Sequence, residues 1–119
     1  MRRAERYAKA AYCLDLVLAY FGPKGERWCR DKTGDGDKRC LCGAVYRVQF
    51  LHRFRNQLAF QLLDAAIPGR SIADFNNDRT TTFAQVRAVI LKAKARALAE
   101  SRKLPREPQP ETQRPKLAA

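Results

Sequence analysis

Cys29, Cys40, Cys42 and His52 are the residues that could hold a metal ion. Thiolates and imidazole are zinc ligands, and four of them would complete a tetrahedral site. Their spacing opposes it. Cys-x-Cys at a helix start is not the Cys-x2-Cys knuckle, there is no second pair, and on a helix Cys40 and Cys42 would point in different directions. Such cysteines read as small buried hydrophobes. Disulfides are not expected either, because Cys13 falls on an apolar helix and no secretion signal precedes it. A cysteine with His52 could supply a nucleophile and its base, but such partners meet in space rather than in sequence. His52 stands among Phe50, Leu51, Arg53 and Phe54, the setting of a surface or core residue. The run Asp31 to Asp37 imitates the first half of an EF-hand loop, Gly36 included. Its twelfth position is Cys42 instead of a bidentate Glu, and Lys38 replaces an apolar residue, so it reads as a solvated turn. No catalytic residue, metal ligand or cofactor is expected.

Asp74, Asn76, Asn77 and Asp78, followed by Arg79, could line a polar pocket. Asn and Asp side chains also bond nearby backbone, so Asn76-Asn77-Asp78 reads as a turn. Thr82 with Gln85 three residues on fits a capping box opening the last helix. A turn-and-cap role accounts for all these residues. The other candidates are basic. The chain has 24 Lys and Arg against 12 Asp and Glu, a formal net charge of +12. Arg2, Arg3, Arg6 and Lys9 lie near Tyr7 and Tyr12, while Lys92, Arg96 and Lys103 share a helical face with Arg87 and Lys94 beside it. Such a patch suffices to neutralise phosphates. No helix-turn-helix, zinc-finger or RNP pattern accompanies it, so base-specific reading has no support. A solvated basic surface is the plainer reading.

These residues must be carried by helices. Tyr7, Ala11, Leu14, Leu18 and Phe21 recur at spacings of four and three, which predicts a helix over 3–21, and Leu16, Val17 and Tyr20 widen its apolar face. Gly22-Pro23 ends it. A long loop to Arg39 follows, with Trp28 as its only large apolar residue, expected to anchor the loop to the core. Residues 40–67 hold no Pro and, after Gly43, no Gly. Ala44, Val48, Leu51, Leu58, Leu62 and Ala65 can line one face, joined by Val45, Phe54 and Leu63. This is one long helix or two bending near Leu51-His52-Arg53, and length statistics favour two. Pro68-Gly69 stops it, and Ser71 to Asp78 crosses back. Phe83, Val86, Ile90, Ala93 and Ala97 mark the buried stripe of a last helix to about Arg102. The Pro-rich residues 104–119 lack periodicity and are expected to be disordered; Lys116-Leu117-Ala118-Ala119 resembles the start of a cloning-vector scar.

Trp28-Cys29, Cys40-Leu41-Cys42-Gly43-Ala44 and Ile72-Ala73-Asp74-Phe75-Asn76-Asn77-Asp78 before a Val/Ala-rich helix together resemble an uncharacterised bacterial and phage domain family. That family has a Trp loop, a Cys-x-x-Gly-Ala helix start and an aromatic-Asn-Asp turn. Here two Asn precede the Asp, and the loop is more charged. The resemblance spans about residues 4–99 and implies a fold but no activity. At 119 residues and 13.6 kDa the chain suits one core. No apolar run approaches the roughly 18 to 20 residues of a membrane span. Glu5, Arg6, Lys9 and Asp15 interrupt any signal-peptide core, so a cytoplasmic setting is expected. The expected protein is a single all-α domain over 1–103, a bundle of three or four helices with a long loop after the first. Its expected role is non-catalytic binding to a protein partner; the alternative is sequence-nonspecific nucleic-acid binding.

Overall fold

The computed structural model describes residues 2–31, 36–54 and 57–103. Five helices are present among them: α1 (Arg3–Phe21), α2 (Leu41–His52), α3 (Leu58–Ala65), α4 (Ile72–Asn77) and α5 (Phe83–Arg102). The fold is all-α. Residues 104–119, expected to be disordered, lie outside the described residues.

Helix α1 spans the predicted residues and buries Ala10, Ala11, Cys13, Leu14, Val17 and Phe21. Its most extensive partner is α5, which runs antiparallel to it, so that Arg3 reaches Glu100 at one end while the Phe21 and Phe83 rings meet at 5.7 Å at the other. Small residues permit this pairing. Ala10 and Ala11 on α1 and Ala93 and Ala97 on α5 are all buried, which lets the helices approach closely. Helix α3 closes the core against α1 and α5, α2 packs on α1, and α4 docks on α2.

The 40–67 stretch is two helices, as its length predicts. The break is a backbone event: Arg53 is left-handed, with φ 59° and ψ 35°, and it is the one non-glycine residue with positive φ among the described residues. Two residues of the expected apolar face fall outside the core. Leu51 is 57% exposed and Ala65 is exposed, because the buried positions of α2 run Leu41, Ala44, Val45, Val48 and Gln49, and those of α3 run Leu58, Ala59, Leu62 and Leu63. Each stands three residues after a buried one, Val48 or Leu62, but at about 100° per residue it falls roughly 90° from the centre of the buried face, at its edge.

The segment Ser71 to Asp78, expected to cross back with a turn at Asn76-Asn77-Asp78, forms the short helix α4 through Asn77, which raises the helix count among the described residues to five. Ser71 caps it, its Oγ accepting from the Asp74 N–H at 3.0 Å. Ile72 and Phe75, three residues apart, bury one face. Capping and a two-point apolar contact outweigh the turn preference of Asn76 and Asn77.

The loop after α1 folds onto the core as its tryptophan predicts. Trp28 is half-buried and its ring lies 6.1 Å from that of Phe83. Backbone bonds from Cys29 N–H to the Arg39 carbonyl (3.0 Å) and from Arg39 N–H to the Arg27 carbonyl (2.8 Å) pin the two ends of the loop together. Gly25 has φ +73° and a Cβ there would overlap the Phe83 ring, so close packing under the loop requires glycine.

Candidate interaction surface

The C-terminal end of α2 presents the largest exposed apolar side chains of the described residues. Phe50 is 82% exposed, Tyr46 62%, Leu51 57% and Tyr12 of α1 53%. The local sequence dictates this. With Leu41, Ala44, Val45 and Val48 turned inward, Tyr46 and Phe50 fall on the outer side of the helix, four residues apart. The left-handed Arg53 then reverses the chain, and Phe54 N–H donates to the Gln49 carbonyl at 3.0 Å. That reversal sets Phe54 beside His52, with ring centroids 6.0 Å apart and planes within 24°. Tyr12 packs edge-on against both, at 6.5 Å from His52 and 6.0 Å from Phe54. Gln49, Phe50, Leu51, Arg53 and Phe54 line an open concavity beside this cluster. Tyr46 leans on Phe60 of α3, with ring centroids 4.8 Å apart.

The N-terminus of α2 is held by a polar clasp centred on Asn76, which is 1% exposed. Its Oδ1 accepts from the Trp28 indole N–H at 2.7 Å and from the Leu41 N–H at 3.1 Å. Its Nδ2 donates to the Cys29 carbonyl at 3.1 Å, the Arg30 carbonyl at 3.0 Å and Asn77 Oδ1 at 3.0 Å. One amide thereby joins α4, the Trp loop and the first turn of α2. The other residues of this polar group also bond locally. Asp78 accepts from Thr80 N–H and Thr80 Oγ1, both at 2.8 Å, and from Arg70 at 2.7 Å. The Thr80 bonds first and then Arg70 hold its carboxyl down at about 2. Asp74 and Arg79 are exposed, and Thr82 and Gln85 make both bonds of the capping box of α5. The group is a clasp and not a lined pocket.

The basic candidates are split by the fold. Arg3, Arg96 and Lys103 converge on Glu100 at 2.7, 3.3 and 2.9 Å, and Lys94 pairs with Asp15 at 2.7 Å. Hydrogen bonds from Lys103 and Arg3, more than its burial opposes, pull the Glu100 carboxyl down to about 2. Glu100 sits at the next core position after Ala97, three residues on, and Arg96 and Lys103 at i−4 and i+3 are the sequence signal that it is paired there. Lys94 lies two residues, about 200° of helix, from Lys92, so it does not share the face of Lys92, Arg96 and Lys103; it points to α1. Arg2 is the N-cap residue of α1, its backbone N–H bonded to Glu5 at 3.1 Å. Arg6, Lys9, Arg87 and Lys92 are exposed and make no ion pair among the described residues.

The cysteines do not gather around His52. Cys40 is the N-cap of α2, its sulfur accepting from Gly43 N–H at 3.3 Å, and the Cys29 thiol donates to the Asp31 carbonyl at 3.0 Å. Cys13 is buried on α1, and burial pushes its thiol up to about 11, which leaves it a poor nucleophile. Cys42 is half-buried and also shifted up, by burial and then by Cys40. Among the described residues no three His, Cys, Asp or Glu side chains are grouped to hold a metal ion. Residues 32–35 of the calcium-like run lie outside the described residues. No helix is long and apolar enough to cross a membrane.

No curated protein and no solved structure matches the chain. The family model DUF6197, described as a family of unknown function, matches residues 6–96, from the first turns of α1 well into α5. The chain therefore belongs to the DUF6197 family, a family of unknown function.

Proposed function

We propose that this domain is a non-catalytic interaction module that engages a protein partner through the outer surface of α2. The observation that carries this is Phe50, 82% exposed on a helix whose opposite face is packed, with exposed Tyr46 and Leu51 on the same helix. Grouped aromatic and aliphatic side chains in water are unfavourable by roughly 25 cal/mol per Å² of apolar surface, and such patches characteristically serve interfaces. Aromatic residues are also the preferred anchors of binding surfaces. Selection of a randomised displayed peptide library on the immobilised protein tests this, with the double variant Phe50→Asp, Leu51→Asp as the control. Peptides should enrich on the natural protein and fail to enrich on the variant. Equal enrichment on both, or none on either, would remove the reading.

A second reading, sequence-nonspecific nucleic-acid binding, is favoured by the pole where α1 begins and α5 ends. Three cations meet one carboxylate there, leaving an excess of positive charge, and exposed Arg2, Arg6 and Arg102 are on the same helix ends. Fluorescence anisotropy of labelled DNA and RNA at several salt concentrations checks it. A steep logarithmic loss of affinity with salt would support phosphate contacts; no binding at low salt would end the reading.

A further inference from the structure

The α2 surface carries charge of one sign. From Cys40 to Leu63 the sequence contains no Asp or Glu. Arg47 and Arg53, both exposed, project from α2 and its C-cap beside Phe50, and neither has an ion-pair partner among the described residues. The Arg47 guanidinium lies 5.6 Å from the Tyr20 ring. On α1 and α5, Arg3, Lys94, Arg96 and Lys103 hold carboxylates of this chain, while Arg6, Lys9, Arg87 and Lys92 are unpaired among the described residues but have no exposed aromatic cluster like that of α2 beside them.

Resting on the reading of the domain as an interaction module, we propose that the α2 surface docks an acidic protein segment bearing apolar side chains. The apolar side chains seat against Phe50, Leu51 and Tyr46, and the segment's carboxylates pair with Arg47 and Arg53. A second copy of this chain is disfavoured by the same charges, because a two-fold contact across this face brings like guanidinium groups together. Single-stranded nucleic acid needs open ring faces on which bases stack. Here Tyr12, His52 and Phe54 engage one another edge-on and face-on, and Tyr46 leans on Phe60, so Phe50 is the one aromatic of the group without a ring partner among the described residues. One open phenyl ring beside an exposed leucine suits an apolar anchor better than a stacking track.

Anisotropy titrations separate these occupants. The probes are a labelled peptide of about 16 residues with Leu and Phe at helical spacing and Glu elsewhere, the same peptide with Lys for Glu, and an oligothymidylate of about 20 nucleotides. The acidic peptide should bind, the lysine peptide should not, and Phe50→Ala should weaken binding by at least about tenfold. Arg47→Glu with Arg53→Glu should weaken it by about tenfold or more, mainly at low salt. Equal binding of the two peptides, each sensitive to Phe50→Ala, would overturn the acidic partner while leaving the interaction module standing. Binding of neither peptide, with no displayed peptide dependent on Phe50, would overturn both. Preferential binding of the oligonucleotide, lost in the Phe50 and arginine variants, would overturn the proposal in favour of nucleic acid. Concentration-dependent dimerisation abolished by Phe50→Ala in sedimentation velocity would overturn it in favour of a second copy.

Discussion

Asn76 ties three segments of the fold together. It is almost wholly buried, and its amide serves two donors and three acceptors drawn from three segments. Removing it leaves the Trp28 indole N–H and the Leu41 N–H without their acceptor, and a buried donor left unpaired is costly. Asn76→Ala should lower stability by about 2–4 kcal/mol in denaturant unfolding. Trp28→Phe removes one bond and keeps the Leu41 contact, so it should cost only about 1 kcal/mol. Similar losses for the two variants would show that packing of the indole, and not the amide, holds the loop. Sequence alone identifies Asn76 as a turn residue; that it is a hub follows only from the meeting of segments 35 and 48 residues away.

At the level of elements, α2 is defined by its ends. Its start depends on Cys40 and the borrowed amide of Asn76, and its end on a left-handed Arg53. In that conformation the arginine Cβ crowds the following carbonyl oxygen, a penalty glycine avoids. Arg53→Gly should therefore stabilise the domain by about 0.5–1 kcal/mol, read as a higher denaturant midpoint with unchanged slope. A lower midpoint would mean that the arginine side chain contributes more than its backbone costs. Helix α4 shows the limit of local reading in the other direction. Ser71, Ile72 and Phe75 are a cap and an apolar pair at helical spacing, but Asn76, Asn77 and Asp78 mask them with turn chemistry.

Across the whole molecule, α1 and α5 are joined at one end by a carboxylate shared among three cations. Glu100 and Asp78 both titrate near 2 in the folded chain, against ordinary values of 4.5 and 3.8. Folded-state values that are depressed mean that the unfolded chain binds more protons, so stability rises with pH through this range. Their contribution is complete above about pH 5 and is lost as pH falls towards 2. Thermal melts at pH 7, 4 and 3 should show a progressive fall, shallower in Glu100→Gln than in the natural protein. Parallel pH dependence in the two would assign the acid sensitivity to other groups. Net charge adds to the effect, because protonating carboxylates raises a formal charge that is already +12.

Local sequence by itself determined the all-α class, the limits of α1 and α5 and the capping box of Thr82 and Gln85, whereas one helix or two over 40–67 stayed open until the left-handed Arg53 decided it. Each of those local features depends on residues within a turn or two of one another. Tertiary structure decided the rest. Leu51 and Phe50 belong to an apolar stretch whose letters do not say which side meets the core, and only the packing of α2 on α1 and α4 turned Phe50 outward. The cations of α1 and α5 look alike in sequence, yet the antiparallel pairing of those helices committed Arg3, Lys94, Arg96 and Lys103 to internal carboxylates and left Arg6, Lys9, Arg87 and Lys92 without an ion pair among the described residues. Burial and ion pairing are contacts between distant segments, and their distances are set by the packing of helices rather than by spacing along the chain.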